Sequence, residues 1–171
     1  MVNGKKKSFY ISQGALTAAL YVVFSLVSAA FGLSNGVIQV RISEAMSVLP
    51  YFSVSTVPGL VLGCCITNVI CGGNIFDVVF GSLATLIGAI GTYLFRKKTP
   101  LLAPVPPIVA NTLIIPFVLK YAYGFGDSFF FMFFTVFTGE IISSGLLGLT
   151  LLKKLKKHEA VIFKNSLYSN K

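Results

Sequence analysis

The residues of this chain able to do chemistry are few and lie in apolar surroundings. Arg41, Glu44, Asp77 and Glu140 are ionisable side chains within or at the ends of long apolar runs, and Gln39, Asn68 and Asn111 are amides in the same runs. An ionised group at bilayer depth costs at least about 2.5–3.5 kcal/mol, so such groups face a cavity or pair with one another. A carboxylate accepts two hydrogen bonds from a ring amide and an exocyclic amine, and Asn offers a matched donor and acceptor. A purine-like solute would use this set well, with aromatic faces for stacking. Phe76, Phe80, Tyr121, Tyr123 and Phe125 lie near the same end, where an interfacial belt is also expected. Local roles compete with binding. Arg41 and Glu44, three apart, are placed to pair on a helix. Asp77 suits a helix N-terminus, and Asn68 and Asn111 suit interhelical hydrogen bonds.

Other chemistries lack their residues. The one histidine, His158, sits in a basic tail, and the three cysteines, Cys64, Cys65 and Cys71, form no CxxC. The cysteines read as buried free thiols. No metal site, cofactor or His-based triad is expected. No GxxxxGK[ST] loop occurs, so the chain is not expected to hydrolyse ATP. With no nucleophile–base pair, an enzyme is not expected.

The elements that position these residues follow from composition. Of 171 residues, 55% are hydrophobic and 11% charged, and the mean hydropathy is +0.84. Soluble domains are about 25% charged. Six apolar segments are predicted, at about Ile11–Phe31, Val37–Phe52, Val57–Ile70, Phe76–Phe95, Leu101–Tyr121 and Phe129–Leu152. Glycine, proline, serine and asparagine clusters separate them. The expected fold is an all-α integral membrane protein with six transmembrane helices. Residues 1–10 would be an N-terminal tail, 11–152 the membrane domain and 153–171 a basic C-terminal tail. The first segment is long for a signal peptide and is read as a retained helix.

The net charge of +9 is distributed as membrane orientation requires. Lys5–Lys7, Arg96–Lys98 and the lysines from Lys153 onward form three clusters, and the other two positives are Arg41 and Lys120. Positive flanks stay cytoplasmic, so both termini are predicted on the cytoplasmic side of the cell membrane, with an even helix count. No aromatics interleave with the basic runs, so nucleic acid is not an expected partner. On this topology Arg41, Glu44, Asn68 and Asp77 lie in the outer half. Glu140 is about 11 residues into the sixth helix, near its middle at 1.5 Å per residue. The inner half is almost purely apolar. The pattern suits a pocket opening outward better than a channel. A stand-alone transporter using Glu44, Asp77 or Glu140 for protons is the alternative. In the first helix, Gly14, Ala15, Ala18 and Ala19 are spaced for close helix approach, within the bundle or to a partner helix.

Two blocks carry a family likeness. Gln39-Val-Arg-Ile-Ser-Glu-Ala-Met-Ser-Val-Leu-Pro50 closely resembles a signature of the QueT family of queuosine-precursor transporters, and Asp77-Val-Val-Phe-Gly-Ser-Leu-Ala-Thr-Leu86 resembles its second block. Leu102-Ala-Pro-Val-Pro-Pro107 with Asn111, and Thr138-Gly-Glu140, match weaker blocks. Met46-Ser47 stands where the family more often has Leu-Thr, which leaves the charged positions untouched. The likeness runs from about Gln13 to Leu152. It implies the substrate-binding S component of an energy-coupling factor (ECF) transporter. Such a component works in membrane lipid with a T component and two ATPase subunits, and topples to carry its solute inward. The implied solute is a queuosine precursor or related 7-deazaguanine base. Glu44 and Glu140 would take its guanine-like edge or a cationic aminomethyl arm. Asn68, Asp77, Asn111 and Gln39 would add hydrogen bonds, and Arg41 would orient Glu44 or bond a ring carbonyl. The loop Gly32–Gly36 would be a lid, and Ala15 and Ala19 would dock the T component.

Overall fold

The first apolar run becomes one helix, α1 (Gly4–Ala30). No proline interrupts it, and in lipid a helix satisfies its backbone groups internally. It stops where Gly32 adopts φ +69°; there the Gly32 N–H reaches the Ala29 carbonyl and the Leu33 N–H the Ser28 carbonyl, both at 2.9 Å. This pair of bonds is a Schellman motif. The helix α2 (Thr56–Ile70) ends the same way at Gly72 (φ +72°), with the Gly73 N–H on the Asn68 carbonyl at 2.8 Å. A computed structural model describes residues 4–34, 38–124, 126 and 128–163.

Three longer helices follow. α3 (Asp77–Phe95) opens with a widened π turn, Asp77–Gly81. α4 (Val105–Ala122) follows a 3-10 turn at Pro100–Leu102. Pro106 and Pro107 sit in its first turn, where a missing N–H leaves nothing unsatisfied. α5 (Phe129–Lys156) carries a π stretch, Ile141–Leu147. A short α6 (Glu159–Ile162) closes the described chain. Among the described residues all regular structure is helical. Four stretches, Lys7–Ala30, Asp77–Phe95, Pro100–Ala122 and Phe129–Lys156, are long and apolar enough to cross a membrane. α2 is apolar but shorter.

The second apolar run departs from the expected helix. Val37 lies outside the described residues, Gln39 and Val40 carry no regular structure, Arg41 is extended, and Ile42–Tyr51 form a ten-residue 3-10 helix. At about 2.0 Å per residue this helix covers roughly 20 Å, so the extended lead-in and the longer rise together replace turns of α-helix. The segment is the central post of the bundle, packed by α1, α2, α3 and α5. Every residue from Ser43 to Pro50 is buried. Hydroxyls from its neighbours satisfy its N-terminal end and brace its middle. The Ile42 N–H donates to Ser28 Oγ at 2.8 Å and the Arg41 N–H to Ser143 Oγ at 3.1 Å, while the Ser47 and Ser144 hydroxyls bond at 2.7 Å. Non-helical backbone at membrane depth is tolerated where protein surrounds it.

Small residues set the helix spacing. A Cβ on Gly59 would land on the Gly14 carbonyl, and one on Gly63 would lie 3.0 Å from the Ala18 carbonyl. Gly14 and Ala18 therefore serve the α1–α2 contact, whereas Ala15 and Ala19 are exposed. The basic end of the bundle is closed by apolar packing: Val48, Phe52, Ala103, Leu152 and Phe163 form one cluster, next to another of Tyr21, Met46, Leu49, Leu60 and Cys64. The tail folds back, with the Phe163 ring stacked on Phe52 at 4.7 Å. The adjacent Ser53 hydroxyl donates to Gln13 Oε1 at 2.8 Å. The third turn of α1 and the last described residue thus meet the same turn.

Candidate functional site

Above that apolar floor lies a cavity of about 40 Å³, lined by Gln39, Arg41, Glu44, Cys64, Gly81, Thr85, Asn111, Ile115, Val136 and Glu140. Each wall comes from a different element. The extended lead-in brings Gln39 and Arg41, the first turn of the 3-10 helix brings Glu44, α4 brings Asn111 and α5 brings Glu140. Both π segments border the cavity: Gly81 ends the one in α3, and Glu140 immediately precedes the one in α5. Such local widening of a helix re-aims side chains and recurs at functional sites.

Gly139 explains how the lead-in reaches this place. A Cβ there would strike the Gln39 carbonyl. The absence of a side chain lets the extended backbone lie directly on α5, beside Glu140.

Tyr21 and Asn111 orient the two carboxylates. The Tyr21 hydroxyl, buried in the middle of α1, donates to Glu44 Oε1. Asn111 Nδ2 donates to Glu140 Oε1 at 3.0 Å. The other carboxylate oxygen, Glu140 Oε2, is buried with no hydrogen-bond partner, although Glu140 as a whole is only 9% exposed. A buried acceptor left unmade carries a desolvation penalty of about 1–3 kcal/mol, more when charged. Arg41 is within electrostatic range of both carboxylates but makes no ion pair within 4.0 Å, so the anticipated Arg41–Glu44 pair is not closed. Formally the cavity holds two carboxylates against one guanidinium.

Five of the seven anticipated residues, Gln39, Arg41, Glu44, Asn111 and Glu140, meet around this space. Asn68 and Asp77 stand elsewhere. Asn68 Nδ2 donates to the Asp77 carbonyl at 2.9 Å and lies under Gly81. Asp77 Oδ2 accepts the Asn74 N–H at 3.0 Å and the Tyr123 hydroxyl, tying the α2–α3 loop to the end of α4. Partial burial, then the bond to Asp77, raises the Tyr123 hydroxyl above its usual range. Phe125, and residues 35 and 36 of the anticipated lid, lie outside the described residues. Tyr21, Cys64 and Thr85 were not anticipated at the site. A tyrosine at mid-helix, away from both interfaces, is the signal for Tyr21, because its hydroxyl requires a buried partner. Cys64 and Thr85 carry no comparable sign. Among the described residues no three His, Cys, Asp or Glu side chains cluster as a metal site.

Comparison with known proteins gives the family of the chain. A curated relative, the "Queuosine precursor transporter QueT" of Lactococcus lactis subsp. cremoris (strain MG1363), is 33% identical over 94 residues, covering 54% of this chain and 55% of the relative. The chain thus matches about half the length of that relative. No solved structure matches. A family model described as QueT transporter matches residues 11–157, from the first turns of α1 through the end of α5. The chain is a multi-pass membrane protein and belongs to the QueT transporter family.

Proposed function

We propose that this chain captures a queuosine precursor, or a related 7-deazaguanine base, from outside the cell and passes it inward as the S component of an ECF transporter. In this reading all six apolar runs cross the membrane with both termini cytoplasmic. The meeting of Gln13 and Phe163 at the Phe52–Ser53 turn puts the first and last helices at one end of the bundle, which supports that arrangement. A T component and two ATPase subunits supply the power stroke, and the exposed Ala15 and Ala19 on α1 are the docking face. The name of the Lactococcus lactis relative supports the solute class.

The observation that carries the reading is Glu140 Oε2, an unpartnered buried carboxylate oxygen beside Glu44, Arg41 and Asn111. It leaves an acceptor that a donor on the solute can fill. Two carboxylates against one guanidinium favour a solute with one positive charge, such as a base bearing a protonated aminomethyl arm, over the neutral nitrile. The space of about 40 Å³ holds one or two waters, so a bicyclic base enters by displacing a wall. In this reading the wall that moves is Gln39–Arg41, tied by the Val40 N–H to Leu33 and the Arg41 N–H to Ser143.

Calorimetric titration of the purified chain with aminomethyl- and cyano-7-deazaguanine tests this. Tight binding of the aminomethyl base, weaker for the nitrile, is expected. No binding of either base overturns the reading. The paired carboxylates also suit a proton-coupled transporter, which would move the base in vesicles holding this chain alone; the apolar packing beneath the cavity argues against that second reading.

A further inference from the structure

We propose that the apolar groove between α3 and α4, at the end opposite the basic clusters, seats one acyl chain of an anionic phospholipid, and that Lys120 holds its phosphate. The groove is about 460 Å³ and is walled by Phe76 and Phe80 on one side and Leu113, Phe117, Val118 and Tyr121 on the other. The two aromatic pairs are parallel stacks: Phe76–Phe80 and Phe117–Tyr121 each have centroids 6.3 Å apart and planes within 8°. The Tyr121 hydroxyl is the only side-chain polar group among the lining residues, so the groove offers water too few partners to hold it. Apolar walls facing a gap forfeit their dispersion contacts. In a bilayer the matter available to fill it is hydrocarbon.

Length and charge select the occupant. From Leu113 to Tyr121 the α4 wall rises about 12 Å, close to one leaflet's share of a hydrocarbon core of about 30 Å. Lys120 follows Leu113 by seven residues and Phe117 by three, which puts it on the same helix face in the last turn. It is exposed and makes no ion pair with any described residue. Of the positives outside the three basic clusters, Arg41 belongs to the cavity, which leaves Lys120 as a cation at the end where the charge rule disfavours one. A phosphate at headgroup depth accounts for it. An α-helix, about 10 Å across, is too thick to enter a slot of this volume along its length.

The test uses the full chain in nanodiscs doped with phosphatidylglycerol or phosphatidylcholine of identical acyl chains carrying a photoreactive diazirine, with labelled peptides mapped by mass spectrometry. Phosphatidylglycerol is expected to label residues 76–80 and 113–121 about fivefold more than phosphatidylcholine. Lys120→Gln should erase that difference, and Leu113→Trp, which fills the groove, should remove labelling by both lipids. Equal labelling of the native chain by the two lipids overturns the proposal. So does a preference that survives Lys120→Gln, or protection of these peptides by a bound protein in place of lipid.

Discussion

Asn111 donates a 3.0 Å hydrogen bond to one oxygen of Glu140 and leaves the other, Oε2, buried without a partner. The amide fixes the direction of the carboxylate while half of its acceptor capacity stays open to the cavity. Glu140→Gln keeps the size and the bond from Asn111 but removes the charge. Affinity for the aminomethyl base should fall by about 2–5 kcal/mol, the cost of truncating one partner of a buried charged contact. Titration of the variant measures it, and thermal melting confirms that the chain still folds. An unchanged affinity removes Glu140 from the site.

Tyr21→Phe deletes the hydroxyl that donates to Glu44 Oε1 without changing the ring, which packs in the core. Glu44 is then left with an unmade acceptor, at a cost of about 1–3 kcal/mol. A lower melting temperature and weaker solute binding are both expected. Loss of stability with unaltered binding would make Tyr21 a core residue only.

Gly139→Ala places a Cβ against the Gln39 carbonyl and must push the extended lead-in off α5. Overpacking of this kind costs about 1–3 kcal/mol. Binding should weaken, because Gln39 and Arg41 move with that backbone. Gly126→Ala is the control, since a Cβ there meets nothing within 4 Å. Melting curves and titrations of both variants check the contrast.

The long apolar runs and the apolar packing beneath the cavity were legible because hydropathy and helix length are properties of local sequence. So was the similar depth of Glu44, Asn111 and Glu140, since depth along a helix follows from residue count, whereas Gln39 and Arg41 reach the cavity on non-helical backbone. The second run was not legible as a 3-10 helix. Its conformation depends on hydroxyls of Ser28 and Ser143, brought from α1 and α5 by tertiary contact. Asn68 and Asp77 passed the same depth test as the cavity residues, yet Asn68 bonds the Asp77 carbonyl and Asp77 bonds the Asn74 N–H and the end of α4. Depth along a helix gives no azimuth around it.

Asp77→Ala separates these placements. Asp77 Oδ2 holds the Asn74 N–H and the Tyr123 hydroxyl outside the cavity. The substitution should lower stability by about 0.5–1.5 kcal/mol, the net worth of an ordinary hydrogen bond, and leave solute affinity within about twofold, a change worth less than about 0.5 kcal/mol. Glu44→Ala should abolish binding. A loss of binding in Asp77→Ala comparable to that in Glu44→Ala would return Asp77 to the solute's contacts.

The small residues of α1 divide by face, and the division can be read out. Ala18 lies against Gly63, where its carbonyl would be 3.0 Å from an added Cβ, so Ala18→Trp should prise α1 from α2 and unfold the chain. Ala15 is one helical turn away but exposed, with Ile11 and Leu16 exposed beside it. Ala15→Trp should therefore leave the melting temperature and solute affinity unchanged. On the docking reading it should also prevent co-purification with a T component and its ATPase pair, because a bulky ring holds helix backbones apart. Retained co-purification would move the docking face off Ala15 and Ala19 while leaving the capture site intact.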